Sequence, residues 1–101
     1  MIIREWRGRA SLNEPEGYPV HFRTKVVPEL RRLSGFVGAH LSRRRLADRF
    51  EFLVLTRWRS MDAIRAFAGE EIDKAVVEPG AVAALLDFDA KVQHYEVIEE
   101  A

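Results

Sequence analysis

From Phe50 to Trp58 the chain reads FEFLVLTRW, with Phe50, Phe52, Leu53, Val54, Leu55 and Trp58 falling on both sides of a strand's alternation. Successive strand residues point to opposite faces, so a strand of this composition belongs in a sheet covered on both. Ser60 ends the run, and Ser60-Met61-Asp62-Ala63-Ile64-Arg65-Ala66-Phe67 opens like a helix. Ser60 suits an N-cap, and Asp62 places negative charge in the first turn, where the helix dipole favours it. A chain of 101 residues fits one domain, 1–101, with one modest core. Something must therefore cover the second face of that strand.

The remaining elements follow from periodicity. Ile2 to Ala10 alternates loosely, with Ile2, Arg4, Trp6 and Gly8 on one side, and reads as a strand. Tyr18, Phe22, Val26 and Leu30 recur every four residues and predict a helix. Its start is expected near a capping box of Asn13 and Glu16, or later at Pro19. Pro28 predicts a kink near Val27 or two helical pieces, and Ser34-Gly35 a C-terminal stop. Phe36 to Arg45 is a second strand, joined through Leu46-Ala47-Asp48 to Phe50–Trp58 as a hairpin. Ile72, Ala75 and Val76 suggest another turn or two of helix before Pro79-Gly80, Ala81 to Phe88 a further helix, and Lys91 to Glu99 a last strand. The order is strand, helix, strand, strand, helical region, strand. That is an α+β, ferredoxin-like β-α-β-β-α-β layout with an antiparallel sheet. Right-handed crossovers put both helical segments on one face. The simplest cover for the other face is a second copy about a two-fold axis, so a homodimer is expected.

Several classes of function are excluded or disfavoured. Sixteen basic residues balance sixteen acidic ones, so no global field favours nucleic acid or anionic lipid. Arg43-Arg44-Arg45 with Arg49 lacks the interleaved aromatics of a nucleic-acid surface and reads as a charged hairpin end that guards a strand edge. Without cysteine there is no disulfide, thiolate metal site or cysteine nucleophile. His21, His40 and His94 stand at no metal-ligand spacing. No apolar run approaches membrane-helix length, and the first residues lack a secretory h-region, so a soluble cytoplasmic protein is the default.

The succession Tyr18, Phe22, Val26, Pro28, Leu30, Gly35-Phe36, then Phe50 to Thr56 running into Trp58-Arg59-Ser60, resembles the antibiotic biosynthesis monooxygenase domain. The closing His94-Tyr95-Glu96-Val97 is similar to the last strand of many such proteins. The resemblance covers nearly the whole chain, and its most specific part is the strand-Trp-x-Ser-helix corner. It implies a dimeric α+β barrel with a ligand cavity between the sheet and the helices of one subunit. Members include cofactor-free oxygenases of polycyclic aromatic phenols, haem-degrading enzymes, and aldehyde- or quinol-handling proteins. The haem-degrading branch carries an asparagine on the first strand and an axial histidine after an aromatic helix residue. Here Phe67 stands at the aromatic position, but Val76-Val77 occupies the histidine's region and the first strand has no asparagine, which speaks against that branch.

The resemblance and the residue types together nominate a site. His94, mid-strand, is placed to line a cavity and move a proton near neutral pH, or else to be a satisfied core histidine. Trp58 stacks on an aromatic substrate or is simply a large core residue. Tyr95 donates to a substrate oxygen or faces the other subunit. His21 reads as structural or solvated, and His40 as facing either the dimer or the cavity. Trp6, Tyr18, Phe22 and Phe67 would wall the pocket, with Arg4 and Arg7 beside Trp6 as possible anion partners. The expected function is a cofactor-free monooxygenase acting on a small aromatic or quinone-like molecule. The alternative is a non-catalytic dimeric binding protein for haem or another hydrophobic ligand.

Overall fold

The computed structural model describes residues Met1–Ala101. Strand β1 (Ile2–Ser11) is followed by a helix in three parts: α1 (Gly17–His21), a π-helical turn (Phe22–Val26) and α2 (Val27–Leu30). Strands β2 (Phe36–Arg45) and β3 (Arg49–Trp58) form the hairpin, and α3 (Met61–Ala68), α4 (Pro79–Ala84), β4 (Asp87–Phe88) and β5 (Gln93–Glu96) complete the chain. The sheet is antiparallel, in the order β2-β3-β1, with β4 and β5 both pairing the free edge of β1. This is the expected ferredoxin-like arrangement, its last strand delivered in two short pieces. No helix is long and apolar enough to cross a membrane.

Local departures have local causes. The first helix starts at Gly17, with Glu16 as an N-cap that makes no side-chain bond, so the Asn13–Glu16 capping box does not form. Ahead of Pro28, which has no N–H to donate, the helix widens: Val27 N–H reaches back to Phe22 O, and the two α pieces flank this π-turn. Ile72 to Val76 is not helical: Ile72-Asp73 is a turn closed by Lys74 N–H to Glu71 O, and the chain is tied to its neighbours by Ala75 N–H to Ala90 O, Val92 N–H to Asp73 O and a bridge of Lys74 with Lys91. Of the predicted helix from Ala81 to Phe88, only the part to Ala84 is helical, and Asp87–Phe88 joins the sheet against Arg9 and Gly8. Ser60 caps α3 as expected, accepting from Ala63 N–H at 3.1 Å. Gly35, at φ 85°, turns the chain into β2, and a Cβ there would lie 2.5 Å from that of Ala63.

Pairing register assigns the faces. Arg4 lies opposite Thr56 and His94, Trp6 opposite Val54, and Gly8 opposite Phe52 and Phe88. These residues, with Trp58, look toward the helices, where Tyr18, Phe22, Leu30, Ile64 and Ala81 complete a buried core. The other face carries Ile3, Glu5, Arg7, Leu53, Leu55, Arg57 and Tyr95, and no layer of this chain lies over it. Along β3 the burial alternates accordingly: Phe52, Val54, Thr56 and Trp58 are buried, Leu53 and Leu55 only half so. Three of the four arginines at the hairpin end are paired or packed. Arg44 bonds Glu51, Arg49 bonds Asp48 and Asp87, and Arg43 lies 4.6 Å from the Phe50 ring centroid.

Candidate functional site

Between the sheet and the helices lies a cavity of about 90 Å³. Strand β1 supplies Arg4 and Trp6, β3 supplies Val54 and Thr56, and α3 supplies Phe67. The first helix contributes Tyr18, His21 and Leu30, and Val76, Val77 and Glu78 close the side opposite. The wall is mostly apolar and aromatic, with a few polar groups that converge, which is the composition of a small-molecule site.

Arg4 is its most unusual member. The residue is only 5% exposed, and its guanidinium has no carboxylate within salt-bridge distance. Its Nη1 donates to Ile72 O at 2.6 Å and to His94 Nε2 at 2.9 Å, and its Nη2 donates to Lys74 O at 2.9 Å. The turn at Ile72–Lys74 is thus held at the sheet end by one side chain. The Phe67 ring centroid lies 5.8 Å from its carbon. Burial, partly offset by Asp73, pulls Arg4 down to about 10, which leaves it charged at neutral pH.

His94 completes this arrangement from behind. Its Nε2 accepts from Arg4, so Nδ1 carries the hydrogen and points to Asp73 Oδ1 at 3.3 Å. His94 does not line the cavity, and its lone pair is committed. Of its two sequence readings, this geometry is that of a satisfied histidine, bonded to Arg4 rather than open to the cavity. Burial and the Arg4 charge lower its pKa below the ordinary 6.5. The folded state then holds fewer protons than the unfolded state just below that pH. The resulting stability is complete above about pH 6.5 and is lost as pH falls through the folded value. Between about pH 7.5 and about pH 5, wild-type protein should lose melting temperature, and His94→Gln should lose less. An equal pH slope for both proteins in thermal unfolding would contradict this geometry.

The other nominated residues separate cleanly. Trp6, Tyr18 and Phe67 line the cavity as expected. Trp6 Nε1 donates to Asp89 O at 2.8 Å, and its ring centroid is 5.7 Å from that of Tyr18. Burial, reinforced by Glu78, holds the Tyr18 phenol protonated well above its ordinary range. Phe22 is core instead: one helical turn past Tyr18, it packs in the main cluster and does not reach the cavity. Trp58 is also core, fully buried and stacked on Phe67 at 5.4 Å, with Nε1 donating to Thr56 Oγ1 at 2.8 Å. It backs the cavity wall without being part of it. Tyr95 sits opposite Ile3 on the uncovered face, 48% exposed, with its hydroxyl on Gln93, and does not line the sheet–helix cavity. His40, opposite Leu55, shares that face, and so does Arg7, which pairs with Glu5.

His21 is the residue that sequence reasoning undervalued. It stands three positions after Tyr18 and therefore on the same helical face, the one available signal. Its Nε2 is buried against the cavity without a hydrogen-bond partner. The ring fits because residue 80 is glycine; a Cβ there would come within 2.8 Å of Nδ1.

A family model described as antibiotic biosynthesis monooxygenase matches residues 16–86. Among solved structures, a candidate antibiotic biosynthesis monooxygenase from Deinococcus radiodurans superposes with TM-score 0.64 at 18% identity, covering 100% of this chain and 96% of that one. A corresponding protein from Bacillus cereus gives 0.64 at 17% identity, with 99% and 93% covered. SnoaB, a cofactor-independent oxygenase from Streptomyces nogalater, gives 0.64 at 17%, with 98% and 95% covered. At these identities the structural likeness is one of fold. No curated protein matches the chain.

Proposed function

The chain belongs to the antibiotic biosynthesis monooxygenase family, and from that premise we propose that it oxygenates a small aromatic or quinone-like molecule in the sheet–helix cavity without a cofactor. The observation that carries this reading is the unpartnered Nε2 of His21, buried among aromatic walls. A buried polar atom without a partner is costly, and such sites are accounted for when a ligand supplies the missing bond. In the reaction, the His21 lone pair takes a proton from a phenol-type substrate, and the electron pair remains on the substrate. The electron-rich anion passes an electron to dioxygen, and the radical pair joins through a new carbon–oxygen bond. Loss of the ring hydrogen and cleavage of the O–O bond then leave a quinone carbonyl and water. One dioxygen is consumed per substrate, one oxygen atom going to each product. The protein's part is to hold the ring, accept the proton and exclude bulk water.

Size limits the substrate. The cavity of about 90 Å³ is smaller than the roughly 150 Å³ apolar cavity that takes up benzene. A single ring already requires some give in the wall, and a haem or a polycycle requires displacement of the segment around Val76-Val77. Oxygen consumption by purified protein with monocyclic quinols and with anthrone tests the proposal, and faster turnover of the monocyclic compounds is expected. Saturable ligand binding with no oxygen uptake from any of them would replace the enzyme by a binding protein.

We propose in addition that two copies join through their uncovered sheet faces. Half-buried Leu53 and Leu55 and the exposed Tyr95 support this, since a sheet face of this kind is otherwise left to water. The protein should sediment as a dimer at micromolar concentration, and Leu55→Asp should shift it to monomer. A monomeric wild type would contradict the proposal.

A further inference from the structure

Arg4 carries a buried positive charge that no carboxylate pairs directly, with Asp73 offsetting its burial only in part, which is rare unless something else supplies a counter-charge. Two carbonyls and a neutral imidazole satisfy three of the five N–H donors of its guanidinium, leaving Nε–H and one Nη2–H without protein partners. The guanidinium is planar, and these contacts hold it in one orientation beside Phe67. A fixed fork with spare donors, in a cavity walled by aromatic rings, matches a flat ligand bearing an oxyanion.

We propose that the cavity is an aromatic-oxyanion site, in which Arg4 binds a phenolate or carboxylate oxygen while the ligand ring lies among Phe67, Trp6 and Tyr18. The proposal rests on the same cavity being the ligand site but not on turnover. Charge orients the ligand. Arg4 is the one cationic side chain among the lining residues, whereas Glu29 and Glu78 line the cavity too and repel an oxyanion from their own positions. Asp73 and His94 act as positioning residues. Asp73 holds the Nδ1 hydrogen, which turns the Nε2 lone pair toward Arg4, and that bond fixes the guanidinium.

The dye 4-nitrophenol gives a direct readout, because its yellow band reports the phenolate. In mildly acidic buffer, where the free dye is mostly neutral, binding to wild-type protein should increase the phenolate fraction, and nitrobenzene, which has no oxyanion, should bind roughly tenfold more weakly or worse. Competition with benzoate identifies the source of the oxyanion. Displacement of the dye means that the site takes carboxylates as well as phenolates; dye binding without displacement assigns it to phenolates; benzoate binding alone, seen by calorimetry, assigns it to carboxylates. Arg4→Met should abolish the preference over nitrobenzene, and His94→Gln should weaken anion binding several-fold while leaving nitrobenzene binding unchanged. If Arg4→Met does not fold, by circular dichroism, the wild-type preference and the His94→Gln comparison still decide. Equal affinity of wild-type protein for nitrobenzene and for both anions, or no binding of either anion, would overturn the proposal. An anion-binding protein that consumes no oxygen would leave the proposal standing and overturn the oxygenase function alone.

Discussion

His21→Gln is expected to lower turnover of a quinol by about a hundredfold or more, the usual share of a positioned general base. Glutamine has nearly the same reach and can hydrogen-bond a ligand, but it cannot hold a proton at neutral pH. The loss should therefore fall on kcat with little change in KM. The folded state should be barely affected, because His21 Nε2 has no protein bond to lose. His94→Gln provides the contrast. Its imidazole touches Arg4 and Asp73 and does not line the cavity, so its loss should appear mainly as weaker substrate binding. Turnover of His21→Gln within about tenfold of wild type would show that the proton leaves by another route.

Trp58→Ala should be the most destabilising single truncation in the chain. The side chain is fully inaccessible and touches three other groups: Phe67 in a stacked pair, Phe36 edge-on at 5.5 Å, and the Thr56 hydroxyl. Truncating a buried tryptophan costs about 3–5 kcal/mol, part transfer and part cavity. In a domain of this size each kcal/mol is worth roughly 4–8 °C, so a drop of roughly 15 °C or more is expected in thermal unfolding. Trp58→Phe keeps most of the volume and loses the bond to Thr56, for which about 1–2 kcal/mol is expected. Because Phe67 rests on Trp58, the alanine variant should also weaken ligand binding while it is still folded. A loss below about 1 kcal/mol would mean that the layer behind Phe67 is not close-packed.

How much of this the sequence revealed follows from which contacts are local. The apolar alternation of β3, the Ser60 cap and the four-residue spacing from Tyr18 to Leu30 are short-range patterns, and each appears where expected. The split ferredoxin-like order follows from them. Ile72 to Val76 could not be read in the same way. Its apolar spacing imitates a helix, but its backbone is bound by the side chain of Arg4, 68 and 70 positions away in sequence. The site divides along the same line. Tyr18 and Phe67 were recognised because they lie on the apolar stripes of their helices. His94 and Tyr95 face opposite ways as neighbours on one strand, but only the register against β1 shows which of them faces the helices. The sequence leaves His94 open between a cavity base and a satisfied core histidine, because its partners Arg4 and Asp73 are distant in sequence or on another segment. His21 looked incidental because the glycine that makes room for it is Gly80, on a different helix.

The most direct measurement is oxygenation of a monocyclic quinol by metal- and flavin-free protein under isotope-labelled dioxygen, with products analysed by mass spectrometry. The proposed chemistry predicts a hydroxyquinone that carries one labelled oxygen atom, one dioxygen consumed per turnover and no accumulated hydrogen peroxide, with label incorporation and oxygen uptake falling together by about a hundredfold in His21→Gln. Quinone formed without label, with hydrogen peroxide as the fate of the dioxygen, would contradict it, as would label incorporation unaffected by the loss of His21.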